Sequence, residues 1–352
     1  MSARTIVLTV DPEHPDAGAI ERAADVLRSG GLVAFPTETV YGLGASAFDD
    51  VAVRRVFAAK ERAADDPLIV HVADPSEVAR VARRVPSTAQ VLMESFWPGA
   101  LTLVLEKLPV IPDSATAGRD SVAVRCPSLP LVHRLIQVAG VPLVAPSANR
   151  FTRTSATEAA HVLADLDGRI DLVLDGGPTP IGIESTVVDA RQDPPVLLRA
   201  GAVTVEALEQ DLLESGRPAL AFPSTDAAGV APGQMLKHYA PRARLEYFQG
   251  SRDAALQAMD SEARALLETG KRVGALLCAE DAGALDRGVA LVIVGKTGDL
   301  PAIARSLFAA LRRLDDAGLD VILVHDFGGD GLGRAIRDRL TRAASGRVRL
   351  AE

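Results

Sequence analysis

The chain has 352 residues, 48% of them hydrophobic and 4% aromatic, with a formal net charge of −8. That is enough apolar material for about two domains, and an acidic balance in both halves argues against a general nucleic-acid binder, because phosphate affinity needs clustered Lys and Arg. Two distant cysteines, Cys126 and Cys278, form no disulfide framework or metal-ligand spacing, and no run approaches a membrane span, so a cytoplasmic protein without a structural metal is expected.

With few aromatics, aliphatic residues and Ala must fill the interior, which suits an α/β architecture. Asp16 to Gly31 reads as a helix with Ile20, Ala24 and Leu27 on one face and Gly30-Gly31 as its stop. The apolar run Leu32 to Phe35 has strand length and exits at Pro36, which leaves Thr37, Glu38 and Thr39 at a strand end. Gly42 and Gly44 would let backbone N–H groups approach a bound anion. Asp49 or Asp50 can cap the next helix, which carries Val53, Val56 and Phe57 and ends in Lys60-Glu61-Arg62. Those two cations either complement the helix dipole or bind an anion. Asp65, Asp66 and Pro67 lead into LIVHV, where Leu68, Val70 and Val72 share one face and Ile69 and His71 the other.

Asp74-Pro75 and Ser87 read as helix starts, and Trp97-Pro98-Gly99 as a break. LTLVLE (101–106) and SVAVR (121–125) are strands, the second delivering Arg125 at its exit. A helix with Leu131, Leu135 and Val138 precedes the short strand 142–145 and then Pro146-Ser147-Ala148-Asn149; Arg150, Arg153 and Ser155 follow, and Thr157 starts a helix. Hydroxyls beside two arginines make an anion site or a simple cap. Strands at 171–177, 185–189 and 195–199 place Glu184, Ser185 and Arg199 at their ends, and a helix from Thr204 to Leu213 closes the domain. From Ser215 to about Gln234 the chain reads as a linker, followed immediately by the polar cluster Lys237, His238 and Tyr239. RVGALLC, VALVIV and DVILVHD, with helices between them, suggest a smaller parallel-sheet domain.

Two glycine-rich segments are false leads. Gly295-Lys296-Thr297 lacks the earlier glycine of a P-loop, since Ala290 stands there. The segment 328–334 has Arg334 where a dinucleotide fingerprint needs glycine, and there is no G-x-S-x-G elbow for a hydrolase.

PTETVYGLGA, KER followed by DPLIVHV, APSAN, IESTVVD and GQMLKHYAP together resemble the YrdC-type threonylcarbamoyl-AMP synthases in their long form. The resemblance implies a YrdC-like twisted mixed-sheet catalytic domain over 1–205, a linker or lid segment over 206–244 and a smaller Rossmann-like parallel-sheet domain over 245–352. It implies condensation of L-threonine, bicarbonate and ATP to threonylcarbamoyl-AMP and pyrophosphate. The product would pass to a separate tRNA threonylcarbamoyl transferase complex, with no tRNA contact needed for this step. By resemblance, Thr39, His71, Arg125, Ala145 and Ser185 hold threonine. Lys60, Arg62, Asp66, Ser121, Ser147, Asn149, Ser155, Arg199, His238 and Tyr239 contact ATP, with Lys60 and Arg62 as the catalytic cations and Mg²⁺ expected beside the phosphates. Asp66 stands where the family usually has Asn, so its charge needs compensation by a metal or Lys60. Thr152 replaces a common Gly, and Ala156 and Ala200 common prolines. Two other readings stay open: an RNA-binding module of the same fold, and a carbamoyl-adenylate-forming enzyme, whose usual extra modules are missing.

Overall fold

Side-chain alternation decides the first sheet. In a strand, successive side chains point to opposite faces, and Leu68, Val70 and Val72 join Leu101, Leu103, Leu105, Val122 and Val124 in one large core. Their alternates Ile69, Val104, Ala123, Val187 and Leu198 form a separate small cluster. The face of that small cluster also carries His71, Thr102 and Arg125. The computed structural model describes residues 4–222 and 238–351, and the chain divides into two units.

Unit 1 comprises Met1–Phe151, Ser155–Pro180 and Glu184–Gln234. Its mixed sheet runs in the order Ile6–Thr9, Leu172–Asp175, Val33–Phe35, Gly42–Ser46, Leu143–Val144, Ile69–His71, Ser121–Arg125, Leu101–Lys107, Thr186–Asp189, Val196–Arg199, with Ala82–Arg84 paired beside Leu101–Lys107. Helices Ala17–Arg28 and Pro130–Ala139 pack against each other over a second core containing Ile20, Leu27, Phe35, Leu131 and Leu135. Asp16 caps the first of these, and Asp49 caps Asp50–Lys60 by accepting from the Val51 and Ala52 amides. Ser87 is the first residue of its helix and makes no cap; Asp74 caps a short 3-10 turn.

Gly42–Ser46 is a strand rather than an anion loop. Its partner is Val33–Phe35, and a Cβ on Gly44 would lie 2.5 Å from the Phe35 ring, so this glycine makes room for an aromatic ring. The helix Val205–Glu214 belongs to unit 1, whose core receives Leu208 and Leu212, and Leu197 donates its amide to the Ala221 carbonyl. The chain therefore stays with the first sheet well past Val205. Of the polar cluster, Lys237 lies outside the described residues, as does most of the glycine- and proline-rich segment before it.

Unit 2 comprises Thr152–Thr154, Ile181–Ile183 and Met235–Glu352. Its sheet is entirely parallel, in the order Ala290–Gly295, Val273–Cys278, Val321–His325, Arg244–Gly250, Val348–Ala351. Arg244–Gly250 and Val348–Ala351 were not foreseen, because neither shows a continuous apolar run. Thr152 adopts φ 64°, the left-handed region that explains why glycine is common there, and its carbonyl accepts from the Ala240 amide. The GKT turn is filled by the protein's own carboxylate: Glu280 accepts from both the amide and the hydroxyl of Thr297.

Candidate active site

Strand direction gathers the threonine candidates. Ile69–His71 and Ser121–Arg125 are parallel, with His71 level with Arg125. Leu101–Lys107 runs antiparallel to Ser121–Arg125, and Thr186–Asp189 runs parallel to Leu101–Lys107. The carboxyl ends of two strands thus meet the amino ends of two others, and His71, Arg125, Thr102 and Ser185 share one end of the sheet. Thr102 and Ser185 hydroxyls lie 2.8 Å apart.

Arg125 is the centre of this end. Its guanidinium donates to Thr39 Oγ1 at 2.9 Å and to the Gly99 carbonyl at 3.1 Å, and lies 2.7 Å from Glu38 Oε1. Both charged side chains are buried, at 4% and 7% exposure, so the pair is held in low dielectric where each charge needs the other. Glu38 has no hydrogen bond to either carboxylate oxygen, so the ion pair is its main compensation. The Thr37 hydroxyl donates to the Val40 carbonyl and accepts from the Thr39 amide, which shapes the turn that presents Glu38 and Thr39.

His71 is fully buried, and desolvation together with the adjacent Arg125 charge pulls its pKa down to about 3. It is therefore neutral. Its Nδ1 faces the Ile69 carbonyl at 3.3 Å and donates there, which leaves Nε2 as an acceptor. Cys126 is pushed up to about 12, chiefly by burial, so this neighbour of Arg125 is an unreactive thiol. The Ala145 amide donates to the Ile69 carbonyl and holds the following loop beside the same strand.

The nucleotide candidates of unit 1 gather largely at the opposite end. Ser121 is four residues before Arg125, about 13 Å at ~3.3 Å per residue, and Asp66 and Pro67 enter the neighbouring strand at that same end. Arg62 donates to the carbonyls of Asp66 and Pro67, and its guanidinium lies 2.8 Å from Asp66 Oδ2. The compensation expected from a metal or Lys60 thus comes from Arg62, because a left-handed Glu61 (φ 55°) ends the helix and turns the chain back on itself. Lys60, 1% exposed, donates instead to the carbonyls of Ser147 and Asn149, and the Phe151 amide donates to the Lys60 carbonyl. This clamps the PSAN loop to the helix end. Arg199 donates to the Ser185 carbonyl at 2.9 Å and to its hydroxyl at 3.2 Å, which links a nucleotide candidate to a threonine candidate. Ser155 donates to Glu184.

His238 and Tyr239 fall in unit 2, where both are buried. The Tyr239 ring stacks on Phe308 at a centroid distance of 5.5 Å and lies under the Arg339 guanidinium at 5.1 Å. Sequence reasoning assigned no role to Glu38, Thr102 or Glu184. Thr102 was detectable as the polar alternate in LTLVLE, opposite Leu101, Leu103 and Leu105. Glu38's pairing with a residue 87 positions away carried no local signal.

A family profile described as "Telomere recombination", covering the Sua5, YciO and YrdC proteins, matches residues 25–201, and one described as "Threonylcarbamoyl-AMP synthase, C-terminal domain" matches 203–345. The threonylcarbamoyl-AMP synthase of Pyrococcus abyssi is 43% identical over 98% of this chain and 99% of its own. The chain belongs to the threonylcarbamoyl-AMP synthase family. A second member, from Bacillus subtilis, is 42% identical over 94% of both chains. The crystal structure of Pyrococcus abyssi Sua5 complexed with L-threonine superposes with a TM-score of 0.91 at 41% identity, covering 99% of this chain and 100% of that one. Escherichia coli YciO, at 24% identity and a TM-score of 0.52, shares the fold over 58% of this chain. The two-unit α/β architecture is thus that of the long synthases, and among the described residues no helix is long and apolar enough to cross a membrane.

Proposed function

We propose that this protein condenses L-threonine, bicarbonate and ATP to threonylcarbamoyl-AMP and pyrophosphate, the adenylate that feeds threonylcarbamoyladenosine formation in tRNA. The observation that carries the reading is the Arg125 cluster. It is a buried cation held by Thr39 and Glu38 beside a neutral His71, and it lies one strand's length from the Arg62, Asp66 and Ser121 end.

The Arg125 guanidinium supplies a charge-assisted contact to threonine's carboxylate. The neutral His71 accepts a hydrogen bond from the amino acid through Nε2 and adds no repulsive charge to its ammonium. Threonine's nitrogen, once deprotonated, forms a bond to the carbon of bicarbonate with loss of water. A carbamate oxygen then attacks the α-phosphorus of ATP, and the bond to pyrophosphate breaks. Such a step needs positioning and charge neutralisation more than a nucleophilic side chain. Lys60, Arg62 and Arg199 supply the positive charge, and Ser147, Asn149, Ser155 and Ser121 supply polar contacts along the nucleotide. Mg²⁺ bound to the ATP phosphates would supply further charge neutralisation there. The product leaves for a separate tRNA-modifying complex.

The test is to incubate the protein with ATP, Mg²⁺, bicarbonate and labelled threonine. Pyrophosphate release that requires both threonine and bicarbonate, with label appearing in an adenylate, supports the reading; ATP turnover indifferent to threonine overturns it.

A further inference from the structure

Unit 2 contains a second constellation of buried groups that the adenylation chemistry does not use. Cys278 ends the strand Val273–Cys278, Asp281 lies in the single 3-10 turn that follows, and His325 ends the neighbouring parallel strand Val321–His325. The Cys278, Asp281 and His325 ligand atoms all lie within 4.8 Å of one another. They are 2%, 2% and 3% exposed. They sit at the carboxyl ends of parallel strands, where open α/β sheets bind their ligands.

Two of the cluster's ligand atoms are buried without a hydrogen-bond partner. His325 Nδ1 lies 2.7 Å from the Asp326 carbonyl, which can only accept, so Nδ1 carries a proton. Its Nε2 lies 3.3 Å from Asp281 Oδ2 without hydrogen-bond geometry. The other carboxylate oxygen of Asp281 accepts from Arg252, which fixes its orientation. A ring whose Nδ1–H is held by a carbonyl while Nε2 points at a carboxylate is the arrangement that orients a metal-binding histidine.

We propose that Cys278, Asp281 and His325 form a binding site for a single divalent transition ion of the zinc class. The thiolate, carboxylate and imidazole donors suit such an ion, and the 3.3 Å between Nε2 and Oδ2 matches the edge of a tetrahedron with bonds of about 2.0 Å. Three protein ligands leave a fourth position for water or a small anionic ligand. Local spacing hid the site, because one ligand comes from a strand distant in sequence.

The experiment uses the full-length, tag-free protein after dialysis against a chelator, titrated with Co²⁺ and then with Zn²⁺. One equivalent of Co²⁺ should produce a thiolate-to-metal charge-transfer band that Zn²⁺ bleaches. Cys278→Ser should abolish the band, and Asp281→Asn should weaken Co²⁺ binding at least about tenfold, as loss of an anionic ligand requires. Thermal unfolding and threonine-dependent pyrophosphate release report on whether each variant is folded, and the second of two conservative variants stands if the first does not fold. Binding below one equivalent, a band that survives Cys278→Ser, or affinities in both variants equal to the parent's would overturn the proposal. A direct contact between His325 and Asp281 would then account for the geometry, and Cys278 would have no part in it. The assignment is independent of the adenylation reading, which these metal titrations do not touch.

Discussion

The two sheets use strand direction differently, and the difference decides where their polar residues collect. In the parallel sheet of unit 2 every strand presents its carboxyl end on one side, and Cys278 and His325 meet there as the last residues of neighbouring strands. In the mixed sheet of unit 1 carboxyl and amino ends alternate, so Arg125 and His71 meet Thr102 and Ser185 at one end while Ser121 and the Asp66-Pro67 entry lie at the other. A mixed sheet can therefore build two poles along one face, which suits two substrates that react end to end. A parallel sheet builds one.

The sharpest way to break that two-pole arrangement is at Arg125. Replacing it by Ala leaves Glu38 buried without its cation, a loss of about 3–5 kcal/mol. Threonine kcat/KM should fall by more than about a hundredfold with little change in ATP affinity. Adding Glu38→Gln should recover stability but not threonine use. Equal losses for threonine and ATP would mean the poles are not separate.

Leu208→Ala tests which residues the mixed sheet needs for its own stability. Leu208 is fully buried in the unit 1 core, so the truncation should cost about 2–5 kcal/mol. Denaturant unfolding followed by a unit 1 probe would show it, and a change below about 0.5 kcal/mol would return the helix Val205–Glu214 to the role of a connector.

At the nucleotide pole, Arg62→Ala removes charge-assisted contacts of about 1.5–3 kcal/mol, roughly ten- to a hundredfold in turnover efficiency. The defect should fall on ATP rather than threonine, and Asp66→Asn should partly relieve it, because the carboxylate left behind repels phosphate. Wild-type ATP turnover in Arg62→Ala would reduce this arginine to a helix-end charge.

The smallest effect is one of pH. His71 is neutral when folded, with its pKa held at about 3, and gains a proton on unfolding below its ordinary 6.5. Stability from this group is complete above about pH 6.5 and declines as pH falls towards 3, by about 2 kcal/mol at pH 5. Urea midpoints of His71→Gln between pH 6.5 and 5 should show a flatter slope than the parent; an unchanged slope would assign the acid sensitivity to other groups.

Much of the site was legible before any coordinates. In LIVHV the two-residue period alone put His71 on the face opposite Val70, and SVAVR delivered Arg125 at a strand exit in the same way. Other features were not legible. GLGAS carries no apolar period, and it became a strand because Phe35 fills the space that its glycines leave. Asp66 was read as a charge awaiting a metal or Lys60, whereas a left-handed residue at the helix end turned Arg62 onto it.

The sequence by itself determined which residues could do chemistry and which face of each strand they occupy, because alternation and capping act over a few residues of backbone geometry. Tertiary structure alone decided the partners: Glu38 with Arg125, Lys60 with the PSAN loop, Cys278 and Asp281 with His325. Those pairings depend on strand order and direction. These are set by how whole sheets bury their apolar faces, a balance summed over many residues that no short stretch contains.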